Sequence, residues 1–285
     1  MFIYINGEII AAEEAVISPF DHGFLYGMGL FETFRVYNGH PFLLDDHLAR
    51  LNNGLRTLNI DIQYSREQIV YDLNRLLRKN HLTDARIRLN VSAGIGEIGL
   101  QLESYNDPNL IIFAQALSPM NEQEKTAVIL HVKRNTPEGK ERLKSHHYLN
   151  NILAKREIGN RLNCEGIFLT AEGYLAEGVV SNLFWMKDQV LFTPTIQTGI
   201  LNGITRQFVL YLARRNGIEI QEGFYSVDQA LEADEVFVTN SIQEIVPIVE
   251  VDGMTKPGRL GEFVKLFKQQ YKGYTETLWS RKEVL

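Results

Sequence analysis

Strict alternation of apolar and polar residues marks the clearest strand in the chain, ARIRLNVSAG, which starts at Ala85. Ile87 and Leu89 fall on one face of this run and Arg86 and Arg88 on the other, which predicts a strand with one polar face. Two Asn-Gly dipeptides, at positions 6–7 and 38–39, predict tight hairpin turns. Other strand-like runs occur in both halves of the chain: IYI, FETFRVY, NLIIFAQA, AVILHVK, GIFLT, LFWMK, VLFTP and DEVFVTN.

Apolar residues spaced three and four apart predict amphipathic helices in both halves of the chain. These helices are expected over residues 43–58, 66–80 and 205–217, after Lys144, and in a terminal segment that contains Leu260 and Phe267. Asp45 or Asp46 is expected to cap the first helix, and Gly217 to end the third. Strands and helices mixed in both halves predict the α/β (mixed α+β) fold class.

The polar stretch SPMNEQEK separates the two halves. We therefore predict a small N-terminal α/β domain over residues 1–117, a linker over residues 118–125 and a larger C-terminal domain over residues 126–285.

Composition and charge exclude several classes of function. The chain has 285 residues and a net charge of -6, which gives no electrostatic reason for binding nucleic acid or an anionic membrane. Its one cysteine, Cys164, cannot form a disulfide within the chain and indicates a reducing compartment. The N-terminus lacks the basic start of a signal peptide, and no apolar run approaches the roughly 20 residues of a membrane span, so we expect a cytoplasmic protein.

The second half of the chain offers three candidate chemical groups: an amine, an acid and the start of a helix. Lys144, in RLKSHHY, offers an amine that can hold an aldehyde, although most lysines are solvated surface residues. Glu177, in AEG, offers an acid for a pyridinium nitrogen, or is an ordinary turn residue. Gly203-Ile204-Thr205 opens a helix and can bind a phosphate, although Thr205 also suits an ordinary helix cap.

Two other motifs predict no site. His146 and His147 are adjacent and point in different directions, with no third ligand at a useful spacing, so we expect no metal. Glycines at positions 94, 96 and 99 fit a dinucleotide fingerprint and follow a strand. The segment LQLESYNDP after them is a poor helix, which argues against a dinucleotide site.

Taken in order, these motifs resemble those of the fold-type IV pyridoxal-phosphate enzymes, the class-IV aminotransferase family. This family includes branched-chain aminotransferases, D-amino-acid aminotransferases and 4-amino-4-deoxychorismate lyases. The resemblance covers nearly the whole chain, in SPFDHGFLYGMGLFETFRVYNG, HLARL, KSHHYLNNILAKRE, AEGVVSN, GILNGITR and ADEVFVTNSIQEIVPI. It implies a two-domain, D-amino-acid-aminotransferase-like fold, the cofactor pyridoxal 5'-phosphate, and a homodimer whose site lies between the domains, near the subunit boundary.

Within the family the chain looks most like the lyases, through FETFRV, RLKSHHYLNN and TNSIQEIVPI. Branched-chain enzymes usually have a glycine where Thr33 stands, and D-amino-acid enzymes have a Thr-Arg-Gly turn where this chain has Ser92-Ala93-Gly94. Two alternatives stay open: a branched-chain or D-amino-acid aminotransferase and, more distantly, a non-catalytic protein that binds pyridoxal phosphate.

The resemblance also implies roles for single residues. Lys144 would carry the cofactor aldehyde as an imine, and Glu177 would pair with the pyridine nitrogen. The other implied cofactor contacts are Tyr148 at the ring hydroxyl, Leu201 at the ring face, and Arg50, Ile204, Thr205, Asn240 and Ser241 at the phosphate.

The implied reaction converts 4-amino-4-deoxychorismate to pyruvate and 4-aminobenzoate, a folate precursor. Lys144 would remove the proton from the amine-bearing carbon, and Thr33 would relay a proton to the departing enolpyruvyl group. The substrate carries two carboxylates, for which Arg86 and Arg88 are the candidate partners and Arg35 is a third. A solvated sheet face is the alternative interpretation of Arg86 and Arg88.

Overall fold

Two hairpins turn at the Asn-Gly pairs, in a computed structural model that describes residues 1–117 and 123–284. The first joins β1 (Phe2–Ile5) to β2 (Glu8–Ala11), and the second joins β3 (Gly29–Tyr37) to β4 (His40–Pro41). Asn6 and Asn38 both have a φ of 47°, the left-handed conformation that a two-residue hairpin turn requires. Both hairpin predictions are confirmed.

The alternating run forms β5 (Ala85–Ser92), which pairs antiparallel with β3 and with β6 (Asn109–Ala116). In the described part of the chain, this sheet has the order β2-β1-β6-β5-β3-β4. Ile87 and Leu89 are fully buried, Arg88 is partly buried and Arg86 is exposed, as the alternation predicts.

Three helices belong to the same part of the chain: α1 (His22–Tyr26), α2 (Leu44–Thr57) and α3 (Arg66–Asn80). The apolar residues of α2 and α3 share one core with the apolar face of the sheet. The residues of α2 in this core are Leu44, Leu48, Leu51 and Leu55. Helical spacing thus buries one stripe of each helix against the sheet.

The predicted cap of α2 is wrong. The helix begins after Leu43, which has a φ of 55°, and no side chain caps it. Asp45 and Asp46 lie inside the first turn, where they form ion pairs with Arg66 and Arg281. Their negative charge still stabilises the positive end of the helix dipole.

The remaining elements form a second, larger sheet with helices around it. Its strands are β7 (Lys125–Ile129), β8 (Cys164–Leu169), β9 (Leu175–Gly178), β10 (Asn182–Lys187), β11 (Val190–Pro194), β12 (Ile220–Gly223), β13 (Glu235–Asn240), β14 (Glu244–Val251) and β15 (Met254–Thr255). The helices are α4 (Leu149–Ile158), α5 (Ile204–Arg215), α6 (Val227–Leu231) and α7 (Glu262–Tyr274).

Among the described strands, the order of this sheet is β12-β11-β10-β13-β14-β7-β8-β9, and β15 pairs with β14. The last strand in this order, β9, also pairs with β10, so the strands from β10 to β9 form a closed ring of paired strands. Parallel pairing joins β7 to β14 and to β8, while β10 is antiparallel to each of its neighbours. The closure places Glu177 of β9 directly opposite Asn182 of β10.

The described residues fall into two compact units. The first comprises residues 1–117, 143–147 and 275–284, and the second comprises residues 123–142 and 148–274. The predicted linker over residues 118–125 includes positions 118–122, which lie outside the described residues, and the predicted domain boundaries stay a prediction. No helix within the described residues is long and apolar enough to cross a bilayer.

Candidate active site

The segment that carries Lys144 is held against the edge of β3 in the first unit. The Phe31 N–H donates to the Lys144 carbonyl at 2.9 Å, and the His146 N–H donates to the Gly29 carbonyl at 3.0 Å. A bridge between Leu30 and Ser145 lies between these two bonds. The backbone on both sides of Lys144 is therefore fixed, which orients its side chain.

The side chain of Lys144 lies over the ring of Phe31, with Nζ 4.3 Å from the ring centre. The guanidinium carbon of Arg88 lies 3.8 Å from the centre of the same ring. Arg88 also donates from Nε to Asn90 Oδ1 at 3.1 Å. Each cation gains from the electron-rich face of Phe31, so this ring helps to place both of them.

The register of β3 and β5 puts other predicted residues on this face. Thr33 stands opposite Arg88, and Arg35 stands opposite Arg86. Because cross-strand partners point to the same side of a sheet, Thr33, Arg35 and both β5 arginines share the face that Phe31 occupies. The first unit thus brings together the predicted base, proton relay and carboxylate partners.

Arg50 is held on α2 by an acid that the sequence did not single out. Its Nε donates to Glu32 Oε1 at 2.8 Å, and its Nη2 donates to Glu32 Oε2 at 2.7 Å. His47 Nδ1 lies 2.6 Å from the same Oε2. Glu32 and His47 are both nearly fully buried, while the Arg50 side chain is 18% exposed. Two parallel bonds fix the plane of the guanidinium.

Burial by itself raises the pKa of Glu32, but the charges of Arg50 and His47 outweigh it and lower the pKa to about 2. Burial lowers the pKa of His47, against the opposing effect of Glu32. Glu32 is therefore ionised at neutral pH.

Glu177 lies at the end of β9 in the second unit, where it is 4% exposed. Arg134 Nε donates to Glu177 Oε1 at 2.8 Å. The Leu201 N–H donates to Oε2 at 3.0 Å, and Asn182 Nδ2 donates to the same oxygen at 3.3 Å. Burial raises the pKa of Glu177, while Arg134 and Arg142 oppose this rise. The acid is thus held in one orientation beside cations that favour its charged form.

The start of α5 forms a candidate anion site in the second unit. Gly203 precedes the helix, and a Cβ at this position would collide with the side-chain oxygen of Asn182. Thr205 Oγ1 lies 3.4 Å from Ser241 Oγ. Free amides and hydroxyls at the first turn of a helix favour an anion.

The two residues before Ser241, Asn240 and Thr239, differ in the hydrogen bonding of their side chains. Asn240 Oδ1 accepts the N–H groups of Ile242 and Gln243, so this side chain closes its own turn. Thr239 is 1% exposed, and its Oγ1 has no hydrogen-bond partner within the described residues. Thr239 pairs with Asn182 across β13 and β10. A bound group would satisfy this buried hydroxyl.

Comparison with known proteins identifies the family. The sequence profile described as amino-transferase class IV matches residues 29–251. A Bacillus subtilis protein named aminodeoxychorismate lyase is 46% identical, with 95% of this chain and 93% of that protein covered. A Methanocaldococcus jannaschii protein, provisionally named a branched-chain-amino-acid aminotransferase, is 36% identical over 99% of each. The chain belongs to the class IV aminotransferase family.

The fold agrees with this assignment. A solved structure of the branched-chain amino acid aminotransferase from Escherichia coli superposes with a TM-score of 0.87 at 31% identity, covering 97% of this chain and 95% of that one. The predicted family and mixed α/β fold are confirmed, and with them a pyridoxal-phosphate-dependent enzyme.

The residues present fit this cofactor. Buried Glu177 suits a protonated ring nitrogen, and the unsatisfied Thr239 hydroxyl, with Thr205 and Ser241, suits a phosphate. Leu201 uses its backbone to hold Glu177 and Asn182, and Tyr148 directly precedes α4. The individual cofactor roles given to the site residues stay predictions.

Sequence reasoning missed the residues that hold the expected ones: Glu32, His47, Arg134 and Asn182 as a partner of Glu177. One signal was available for Glu32, which falls on the apolar face of the strand FETFRVY. A buried acid needs a cation as partner. Glu32 has His47 and Arg50 of α2 as partners, and these two residues are three positions apart, a spacing that places them on the same face of the helix. Arg134 carries no comparable local signal.

Proposed function

We propose that the chain is a pyridoxal-phosphate-dependent lyase that converts 4-amino-4-deoxychorismate to 4-aminobenzoate and pyruvate in folate biosynthesis. The observation that carries this proposal is the 46% identity, over 95% of the chain, to a Bacillus subtilis protein named aminodeoxychorismate lyase. Two proteins named as branched-chain-amino-acid aminotransferases, from Methanocaldococcus jannaschii and Escherichia coli, are less similar, at 36% and 31%. Lys144 and Glu177, which the chemistry needs, are both present and held in place.

Pyridoxal phosphate, when bound, supplies an aldehyde for an amine and a protonated ring that takes up electron density from the substrate carbon. Lys144 Nζ would bind the aldehyde. Glu177 would keep the ring nitrogen protonated through one carboxylate oxygen, since Arg134 and Leu201 hold the carboxylate in place. Thr205, Ser241 and the first amides of α5, with Arg50, would hold the phosphate.

Proton transfer would rest on residues of the β3 face. Lys144 Nζ, once the substrate amine has taken its place, would accept the proton from the amine-bearing carbon. The Thr33 hydroxyl would pass a proton to the enolpyruvyl group as its bond to the ring carbon breaks, which yields pyruvate. Loss of that group makes the remaining ring aromatic, which drives the reaction toward 4-aminobenzoate.

The two carboxylates of the substrate need cations, and the β3 face supplies them. Arg88 is the main candidate, because it is partly buried beside Lys144 on the ring of Phe31. Arg35 of β3 and Arg86 of β5 are further candidates. They stand opposite each other, two residues along these strands from the pair of Thr33 and Arg88. A charged guanidinium binds a carboxylate with two parallel hydrogen bonds.

Amino-group transfer is the second candidate function. The 36% identity over 99% of the chain to the Methanocaldococcus jannaschii protein favours it. It uses the same lysine and acid, but it requires an amino acid as donor and a keto acid as acceptor. The two functions therefore differ in substrate and not in cofactor.

A product assay tests the proposal. Chorismate, glutamine and an aminodeoxychorismate synthase are supplied with the protein and pyridoxal phosphate, and 4-aminobenzoate and pyruvate are measured. Equal amounts of both products, absent with Lys144→Ala, are expected. Transfer from D-alanine or L-leucine to 2-oxoglutarate, without any 4-aminobenzoate, would establish the aminotransferase instead.

A homodimer is also part of the proposal. An apolar surface of the first unit is formed by Phe24, Ile98, Leu100 and Leu102, which are 70–92% exposed. Ile98, Leu100 and Leu102 belong to the segment that follows β5. Hydrogen bonds from the Gly99 N–H to Tyr26 Oη and from the Gly96 N–H to the Phe20 carbonyl connect this segment to the α1 region. A second copy of the chain would cover this surface. Sedimentation should show a dimer, and Leu100→Asp should weaken it.

The cytoplasm is the proposed location. The single cysteine, Cys164, is buried and free, which suits a reducing compartment.

A further inference from the structure

A buried ion pair lies at the start of β7, and neither of its members was predicted to touch the cofactor. Lys125 Nζ donates to Glu165 Oε2 at 2.7 Å, and the two side chains are 9% and 4% exposed. A charged pair taken out of water is stabilising only if its remaining hydrogen bonds are also made. Within the described residues, each side chain of this pair makes a further hydrogen bond, and the two bonds lead to different turns.

Glu165 reaches the turn after β9. Its Oε1 accepts the hydroxyl of Ser181 at 2.9 Å. The Gly178 N–H donates to the Ser181 carbonyl at 2.8 Å, which closes the turn. A Cβ at Gly178 would collide with Ser181 Oγ and Glu165 Oε1, so the acid and the turn are packed without space between them. Glu177 and Asn182 lie directly on either side of this turn.

Lys125 reaches the turn after β13. Its Nζ donates to Gln243 Oε1 at 3.0 Å. Asn240 Nδ2 donates to the same oxygen at 3.2 Å, and Asn240 Oδ1 accepts the Gln243 N–H at 2.7 Å. This turn contains Ser241, whose hydroxyl lies beside Thr205.

We propose that Lys125 and Glu165 are positioning residues that couple the turn holding the ring-nitrogen acid to the turn holding the phosphate. The inference rests on the proposed cofactor roles of Glu177 and Ser241. It adds that the two turns are set relative to each other by one buried ion pair. A cofactor that contacts both turns then binds to a preformed spacing.

The register of the sheet explains why this position suits such a link. β7 runs between β14 and β8, with Ile248 of β14 opposite Lys125 and Ala127 opposite Glu165 of β8. A long flexible lysine on this strand can reach both neighbours. Fixing its ammonium on two acceptors removes that flexibility before the cofactor arrives, and preorganisation of this kind raises affinity.

The test uses a paired substitution, since removing one partner alone leaves an uncompensated buried charge and destabilises the fold strongly. Lys125→Met together with Glu165→Met keeps the volume of both side chains and removes both charges. Lys187→Met is the matched control, because Lys187 is a partly exposed lysine of β10 in the same unit that also forms an ion pair, with Asp234. Pyridoxal phosphate and pyridoxal are titrated into each full-length apoenzyme, and the thermal midpoint of each apoenzyme is recorded.

The paired variant should bind pyridoxal phosphate about tenfold more weakly than the wild type. Its affinity for pyridoxal should fall less, because a ligand without a phosphate engages only one of the two turns. Lys187→Met should match the wild type with both ligands. A merely structural role of the pair would lower the thermal midpoint and leave the ratio of the two affinities unchanged, which overturns the inference.

A second measurement separates positioning from direct contact. Ser181→Ala and Gln243→Leu should each weaken binding of pyridoxal phosphate in the wild type and have no further effect in the paired variant. Undiminished effects in the paired variant would mean that Ser181 and Gln243 touch the cofactor themselves, and the coupling would be refuted. Failure of the wild type to bind pyridoxal phosphate would overturn the proposed function. Normal wild-type binding with an unchanged paired variant would overturn this inference alone.

Discussion

Glu32 holds Arg50 by both oxygens of its carboxylate, with Nε at 2.8 Å from Oε1 and Nη2 at 2.7 Å from Oε2. Glu32 projects from β3, and Arg50 lies on α2. The guanidinium of Arg50 is therefore fixed before any ligand binds. Since Arg50 is proposed to bind the phosphate, its strength as a ligand should depend on Glu32, the acid that orients it.

Replacing Glu32 with Gln should weaken both folding and cofactor binding. The amide cannot accept both arginine bonds, and Arg50 loses its charge partner, so the free energy of unfolding should fall by about 3 kcal/mol. Pyridoxal phosphate should also bind more weakly. Urea unfolding of the apoenzyme and a cofactor titration measure the two effects. Glu67→Gln, at an exposed position of α3, is the control, and an equal loss in both variants would contradict the role of Glu32.

The same pair should make stability depend on pH in the acid range. The pKa of Glu32 is lowered from 4.5 to about 2, so its ionised form stabilises the fold fully above pH 4.5 and progressively less as pH falls toward 2. The shift corresponds to about 3 kcal/mol. The stability difference between the wild type and Glu32→Gln should be constant above pH 6.5, where His47 does not titrate in either protein, and shrink as the pH falls from 4.5 toward 2. A difference that does not change with pH would refute the assignment.

His47 should add a second pH effect of the same sign. Burial lowers its pKa below the ordinary value of 6.5, so the unfolded chain takes up a proton first as pH falls. Stability should therefore begin to decrease below about pH 6.5. His47→Asn should remove the part of this decrease that lies above pH 5, as measured by unfolding at a series of pH values.

Arg134 should control the charge of the acid at position 177. Burial already raises the pKa of Glu177, and Arg134 is its nearest cation, at 2.8 Å. Arg134→Met should raise that pKa further, which favours the neutral acid and weakens its support of the protonated ring nitrogen, and should lower kcat by roughly 100-fold. The absorption spectrum of the bound cofactor should change as well. Arg156→Met, on the exposed face of α4, should have neither effect.

Local patterns in the sequence predicted most of the elements. The alternation from Ala85 and the Asn-Gly turns need only neighbours along the chain, and both were right. Leu260 was wrongly placed in the terminal helix. It lies in a short 3₁₀ turn and is 70% exposed, because Gly261 separates that turn from α7, which starts at Glu262.

The groups that hold the site residues could not be predicted in this way. Arg134 and Glu177 are separated by 43 positions, and Glu32 and Arg50 by 18. Their contacts depend on which strands and helices pack together, and the one sequence signal, an acid on the apolar face of β3, does not show which helix packs against it. The pairing of the Lys144 segment with β3 is of the same kind. Motifs located the reactive groups, while their partners required the fold.

Arg88 should affect the binding of substrate more than its conversion. Its guanidinium lies 3.8 Å from the ring of Phe31, over which Lys144 also lies, so it is placed to bind a carboxylate near the reacting carbon. Arg88→Met should raise KM for 4-amino-4-deoxychorismate by about 10- to 100-fold, the value of one charged hydrogen-bonded contact, with a smaller change in kcat. Arg78→Met, at an exposed position of α3, should leave KM unchanged. A normal KM for the Arg88→Met enzyme would show that Arg88 does not bind the carboxylate and would leave Arg86 and Arg35 as candidates. The same assay on Arg86→Met and Arg35→Met would then show which of them binds it.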